Sequence, residues 1–209
     1  MAAIGFALID ILNNSPKFHI SMSPIFVAFV AFCFSMTVGV VWEFFEFFMD
    51  AVIKTDMQKD FVDGALGSAE AVAMVDNAVE KIEHFDGDII VTYDTHFDNY
   101  MQTQEGSLLP VPHCIKGTDG WKLDRKVQAA LDKRPYHTIE KRTFGSVELP
   151  EYIKANYDPK KIEIELIGLC TDICVISNAI LIKAALPEVP VQVVADCCAG
   201  VTPQSHANA

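Results

Sequence analysis

Cys174 stands in Gly168-Leu-Cys-Thr-Asp-Ile-Cys-Val175, where a strand-like run gives way to a tight turn and then a helix. A thiolate in the first turn of a helix gains from the partial positive charge there, which lowers the thiol pKa. Backbone N–H groups in such a turn can also receive an oxyanion. The pattern suits a nucleophile, although most free cysteines are simply small buried hydrophobes. A second group is Asp94 and His96 in Tyr93-Asp-Thr-His96, with Glu105 and His113 in the loop that follows. Two imidazoles and two carboxylates suit zinc, iron or manganese. Asp56 and Lys141, taken singly, read as ordinary solvated charges.

The elements that must position these groups follow from periodicity. Asp88–Asp94 is a short apolar run and reads as a buried strand. His137–Lys141, Ile162–Gly168 and Val191–Asp196 read as further strands. Ser68 can cap a helix carrying Val72, Val75, Val79 and Ile82. Val127, Ala130 and Leu131 mark another helix, and Cys174–Leu186 a third. Thr202 and Pro203 suit the cap and first position of a last one. Strands alternating with helices predict an α/β fold, a doubly wound parallel sheet with helices on both faces. In such sheets ligands bind beyond the C-terminal strand ends. Asp56, Asp94, Lys141 and the Cys170–Cys174 loop all fall at such ends.

In chain order the sequence reads Asp56-Met-Gln-Lys-Asp-Phe61, Asp94-Thr-His96, His113-Cys-Ile-Lys-Gly-Thr118, Lys141-Arg-Thr-Phe-Gly-Ser146 and Gly168 to Val175. This ordered set resembles the isochorismatase-like cysteine hydrolases, most of all their nicotinamidase branch, over residues 56–209. The resemblance implies a catalytic triad of Asp56, Lys141 and Cys174. It implies a divalent metal, zinc above all with iron or manganese as alternatives, held by Asp94, His96 and His113 with Glu105 as a fourth ligand. It also implies a cis peptide at Leu169–Cys170 and an oxyanion hole from the N–H groups of Cys170 and Cys174. Phe61 and Trp121 are candidates for packing on the substrate ring. The expected substrate is a small amide, nicotinamide or an analogue such as pyrazinamide, cleaved to the acid and ammonia through a thioester. Homo-oligomers are compatible with the resemblance.

The first 50 residues have another texture. Pro24 to Trp42 is nineteen residues without a charge, followed by Glu43-Phe-Phe-Glu-Phe-Phe48. As a helix the run would span about 28 Å, close to a bilayer core. It reads as an apolar, membrane-associated helix over residues 24–48; a buried core helix is the alternative. Residues from about 5 to 58 resemble a family of small bacterial multi-pass membrane proteins, through Gly39-Val-Val-Trp-Glu-Phe-Phe-Glu-Phe-Phe48 and Asp56-Met-Gln58. The expected organisation is therefore 1–50 as a hydrophobic segment and 51–209 as a hydrolase domain. The junction lies within Thr55–Asp60, made either by gene fusion or in sequence assembly. Asp50–Thr55 is a short, charged lead-in for a central strand. The hydrolase resemblance also stops early, at the helix that Thr202 begins, so a truncated C-terminus is expected.

The net charge of −12 argues against a nucleic-acid partner, whose phosphates would be repelled. Six cysteines without a C-x-x-C pair point to a reducing compartment rather than a disulfide scaffold. A cytoplasmic catalytic domain, tethered through the N-terminal segment, is the expected location. The competing expectations are a non-catalytic membrane-anchored fragment and a relative with another substrate.

Overall fold

The computed structural model describes residues 25, 28–30, 32–33 and 51–209, with backbone alone over 51–55. The chain divides into two units, residues 1–48 and 49–209. In the first, the described residues Ile25, Ala28–Val30 and Phe32–Cys33 are helical, and Ile25, Phe29 and Phe32 are exposed. Most of the expected membrane helix lies outside the described residues. Among those described, no helix is long and apolar enough to cross a membrane.

The second unit is an α/β layered structure around a five-stranded parallel sheet. Its strands are β1 (Ala51–Thr55), β2 (Asp88–Asp94), β3 (His137–Lys141), β4 (Ile164–Leu169) and β5 (Val191–Ala199), in the order β3-β2-β1-β4-β5. The short lead-in Ala51–Thr55 does form the central strand, paired on both sides. The order reverses beside β1, the switch point at which doubly wound sheets leave a crevice.

Helices cover both faces. On one, α1 (Lys59–Val62), α2 (Ala69–His84) and α4 (Arg125–Leu131) pack on Ile89, Val91, Ile167 and Leu169. On the other, α5 (Glu148–Asn156) and α6 (Ile176–Ala185) pack on Ile90, Ile139, Ile164 and Leu166. The alternation of Ile89, Ile90 and Val91 between the two cores is the period-two signature of a strand buried on both sides.

Helix α2 illustrates how sequence makes the layer. Ser68 caps it, its hydroxyl accepting from the Ala71 N–H at 3.0 Å. Ala71, Met74, Val75, Ala78 and Ile82 then bury one stripe. Val72, which shares the near-helical spacing, faces solvent instead. Each fully buried aliphatic side chain contributes about 1.5–3 kcal/mol, so Ile82→Ala should cost about 2–5 kcal/mol. Helix α5 is not predicted from the sequence. Pro150 sits in its first turn, where N–H groups lack intrahelical partners anyway.

Three expected boundaries shift: β4 runs Ile164–Leu169 where Ile162–Gly168 was expected. The expected Cys174–Leu186 helix begins as a wide π-helical turn, Thr171–Val175, before α6. The Cys170 carbonyl accepts from the N–H groups of both Ile173 and Val175 at 3.1 Å, which opens that turn. Strand β5 continues past Asp196 through Cys197 and Cys198. Among the described residues of this unit there are also α3 (Gln104–Leu108), after a 3-10 turn at Tyr100–Gln102 in the loop after β2, and α7 (Pro203–Asn208), which Thr202 caps as expected.

Candidate active site

The C-terminal ends of β1 to β4 bring the expected residues together. Asp56 follows β1 directly and is wholly buried, with a left-handed φ of 45°. A non-glycine residue holds that conformation only where its surroundings enforce it. Its Oδ1 accepts from the Thr92 hydroxyl at 3.0 Å. Its Oδ2 stands 2.7 Å from Lys141 Nζ as an ion pair without an aligned hydrogen bond.

Lys141 ends β3 and lies in register opposite Asp94, which ends β2. Its ammonium donates to the Thr143 carbonyl at 3.1 Å and reaches Asp94 Oδ1 at 3.5 Å and Cys174 Sγ at 3.6 Å. The cis peptide stands at Leu169–Cys170, as the resemblance implied.

Burial sets the protonation pattern. It pushes the Cys174 thiol well above its ordinary value; Asp56 adds to this and Lys141 opposes it. The direction is therefore opposite to the expected lowering of this thiol, because desolvation outweighs the nearby cation. Burial also raises the Asp56 carboxyl, against the pull of Lys141. For Lys141, burial acts downward, but Asp56, Cys174 and Asp94 together hold the ammonium above its usual range. The resting arrangement is a thiol beside a carboxylate more basic than an exposed one, with a persistent cation between them and Asp94.

Asp94 turns its other oxygen to the imidazoles. Oδ2 lies 3.1 Å from His96 Nε2 and 3.5 Å from His113 Nε2. The donor atoms of Asp94, His96 and His113 all fall within 4.8 Å of one another. Donors about 2.0–2.1 Å from one tetrahedral ion stand roughly 3.3 Å apart, so this spacing fits. His113 Nδ1 donates to the Val111 carbonyl at 2.8 Å. A carbonyl only accepts, so Nδ1 carries a proton, and in the neutral ring Nε2 offers its lone pair to the cluster. Glu105 Oε1 lies 3.5 Å and 3.8 Å from the same two nitrogens. It flanks the trio without joining it, and its side chain is 21% exposed. These residues fit a divalent transition metal.

A cavity of about 480 Å³ meets both groups. Asp94, His113, Cys170 and Cys174 give it polar atoms and sulfur; Phe61, Leu66, Ala71 and Leu169 give it apolar walls. The Phe61 ring meets His113 edge-on at 5.4 Å. Trp121 is not among the residues that line this cavity. Its indole N–H donates to the Thr95 hydroxyl at 2.9 Å and its ring tilts against Tyr93.

Three supports escaped sequence reasoning. Gln58, fully buried, accepts from the Asp94 N–H and donates to the Asp94 and Trp121 carbonyls. Asp60 Oδ2 accepts from the Cys114 N–H at 2.8 Å, holding the residue after His113, which has a φ of 46°. At Gly120 a Cβ would come within 2.2 Å of Asp60 Oδ2, so any other residue there would displace this carboxylate. Asn178 accepts from the Ser146 N–H and donates to the Cys174 carbonyl, tying the loop after Lys141 to the sulfur's turn. Gln58 and Asp60 belong to the Asp56–Phe61 motif, so their spacing from Asp56 was the available signal.

A family model described as the isochorismatase domain matches residues 50–209. The chain belongs to the isochorismatase family. Its hydrolase unit is 30% identical over 140 residues to an uncharacterized isochorismatase family protein, PncA, of Bacillus subtilis (strain 168). That match covers 62% of this chain and 76% of the relative. The solved pyrazinamidase/nicotinamidase of Streptococcus mutans UA159 superposes with a TM-score of 0.66 at 25% identity, over 76% of this chain and 92% of that one. The pyrazinamidase of Pyrococcus horikoshii, solved in complex with zinc, shares the fold at 24% identity and a TM-score of 0.59, over 76% and 90%. A second family model, a predicted membrane protein family (DUF2238), matches residues 1–70. The two matches overlap from 50 to 70, around Asp56-Met-Gln58, and so support a chimeric chain.

Proposed function

We propose that residues 51–209 form a metal-assisted cysteine amidohydrolase. It would convert nicotinamide, or an analogue such as pyrazinamide, to the acid and ammonia. One observation carries this reading: Lys141 Nζ stands 2.7 Å from Asp56 Oδ2 and 3.6 Å from Cys174 Sγ, beside a cavity shared with Asp94 and His113.

Asp56 takes the Cys174 proton, its burial making it a stronger base. Lys141 stabilises the thiolate as it forms. The sulfur attacks the amide carbonyl, and the C–S bond forms as the carbonyl electrons move to oxygen. The N–H groups of Cys170 and Cys174 receive that oxyanion. Asp56 returns the proton to nitrogen, the C–N bond breaks, and ammonia leaves a thioester. Asp56 then deprotonates water, which attacks the thioester, and the thiol is regenerated with release of the acid. A divalent metal held by Asp94, His96 and His113, with Glu105 beside it, would bind the ring nitrogen as a Lewis acid and fix the amide next to sulfur. The zinc in the Pyrococcus horikoshii relative supports zinc as that ion.

The match of residues 1–70 to a membrane protein family supports a further part of the reading, in which residues 1–50 associate with a bilayer. Ammonia release from nicotinamide, measured on the zinc-loaded chain with and without a chelator, tests the activity. Release that stops with chelator and returns with metal is expected. A folded, loaded chain that releases none defeats the reading.

A further inference from the structure

The turn that carries Cys174 is held from two directions. Asn178 of α6, which continues the turn, donates to the Cys174 carbonyl at 2.9 Å. The segment after β5 reaches the turn's other end. There the Val201 N–H donates to Asp172 Oδ1 at 3.1 Å. His206, half-buried in α7, places its Nδ1 2.7 Å from the hydroxyl of Thr171, a buried residue. These contacts fall on residues 171, 172 and 174 of a five-residue π-helical turn. His206 itself is set with little slack. A Cβ on Gly200 would stand 2.8 Å from the His206 nitrogen, so the end of β5 and α7 pack closely. A capping box between Thr202 and Ser205 fixes the helix start beside His206.

The path from His206 to the chemistry is short. Thr171 follows Cys170 directly, and the Cys170 and Cys174 N–H groups are the ones proposed to receive the oxyanion. The Cys170 carbonyl, in the peptide that joins it to Thr171, accepts from the Ile173 and Val175 N–H groups at 3.1 Å. A shift of Thr171 therefore tilts that peptide and opens the turn between the two donors. Contacts to an oxyanion are made as the tetrahedral intermediate forms, so misaligning them lowers kcat and kcat/KM together. A displacement of about 1 Å can cost about 100-fold in rate.

We infer that His206 is a positioning residue: through the Thr171 hydroxyl it holds the Cys170–Cys174 turn in the orientation that receives the oxyanion. The inference rests on the amidohydrolase reading. It gives α7 a part in the reaction, from outside the metal trio of Asp94, His96 and His113.

The test measures kcat and KM for nicotinamide on the zinc-loaded full chain. His206→Ala should lower kcat at least about tenfold and leave KM within about twofold. Zinc content should not change, and the thermal midpoint should fall by no more than about 4 °C. Thr171→Val, which removes the hydroxyl with little change of shape, should do the same. The double variant should fall no further than either single one, because both remove the same bond. His206→Asn puts an amide atom where Nδ1 stands, able to donate or accept, and should bring kcat back to within about threefold of the parent. Additive losses in the double variant, a loss confined to KM, an unchanged kcat or a failed rescue by His206→Asn overturns the inference while parent turnover stands. Unfolding of both single variants overturns it too, since the bond would then serve stability alone. A loaded parent chain that releases no ammonia instead sinks the amidohydrolase reading, and the positioning role with it.

Discussion

Asp94 divides the site into two regions built in different ways. On its Oδ1 side, Asp56 and Lys141 have side chains with no exposure at all, and both sit where strands end. On its Oδ2 side, His113 and Glu105 come from the loop after β2, and Glu105 opens to solvent. The first region is positioned by sheet register, the second by hydrogen bonds within a loop. In the dry region each charge acts through a low dielectric, so Lys141 can bias the thiol strongly. In the loop region an ion needs an entry path, and Glu105 stands beside one. The two regions should therefore fail separately under mutation, although they share a carboxylate.

The sharpest test of that separation is Cys174→Ala. Sulfur is the proposed nucleophile and is outside the metal trio. Turnover should fall at least about 10⁴-fold, while metal analysis shows unchanged content. Retained turnover, with Cys170→Ala inactive instead, would move the nucleophile to the neighbouring sulfur. The converse is His96→Ala combined with His113→Ala. Two of three converging donors are then gone, and zinc content after dialysis should drop to background. Full occupancy in that variant would place the ion elsewhere.

Asp60→Ala probes the loop region more gently. It removes the acceptor that pins the Cys114 N–H and, with it, the orientation of His113. Loss of such an outer partner typically costs about 10–100-fold in metal affinity. Turnover at saturating metal should stay within a few-fold, measured by titrating zinc into the stripped protein. A fall in saturated turnover without a change in affinity would show that the two regions are coupled through Asp60.

The same division explains what the sequence made legible. Register-built features were readable because strand ends are marked by period and polarity: Asp88–Asp94 and His137–Lys141 match their predicted bounds. Four of the groups assembled there were read from one rule about strand ends. In the loop region the ligands were readable by residue type, but the contacts that hold them were not, since Asp60 reaches Cys114 across 54 residues of chain. Asn178 was missed because a polar residue in an apolar helix carries no local mark of its partner. Ala51–Thr55 reads as a poor strand, yet it occupies the sheet's centre. Pairing on both sides outweighs weak propensity there.

The smallest expected effect concerns Trp121, whose sequence role was ring packing. Its indole N–H reaches Thr95, the residue between Asp94 and His96, and its carbonyl receives Gln58. Trp121 therefore touches the hinge between the two regions from outside the cavity. Trp121→Phe keeps an aromatic ring and the backbone carbonyl but removes the N–H and part of the indole's bulk. The lost hydrogen bond should cost about 1 kcal/mol of stability, seen as a small fall in the thermal midpoint. Because Thr95 is also held by its N–H bond to the Lys141 carbonyl at 2.8 Å, the spacing of Asp94 and His96 should survive. KM for nicotinamide and zinc affinity should then both stay within about twofold. A rise in KM alone would return Trp121 to the substrate, against its placement here. Loss of zinc affinity together with turnover would mean that Thr95 sets the geometry of both regions, and their independence would be lost.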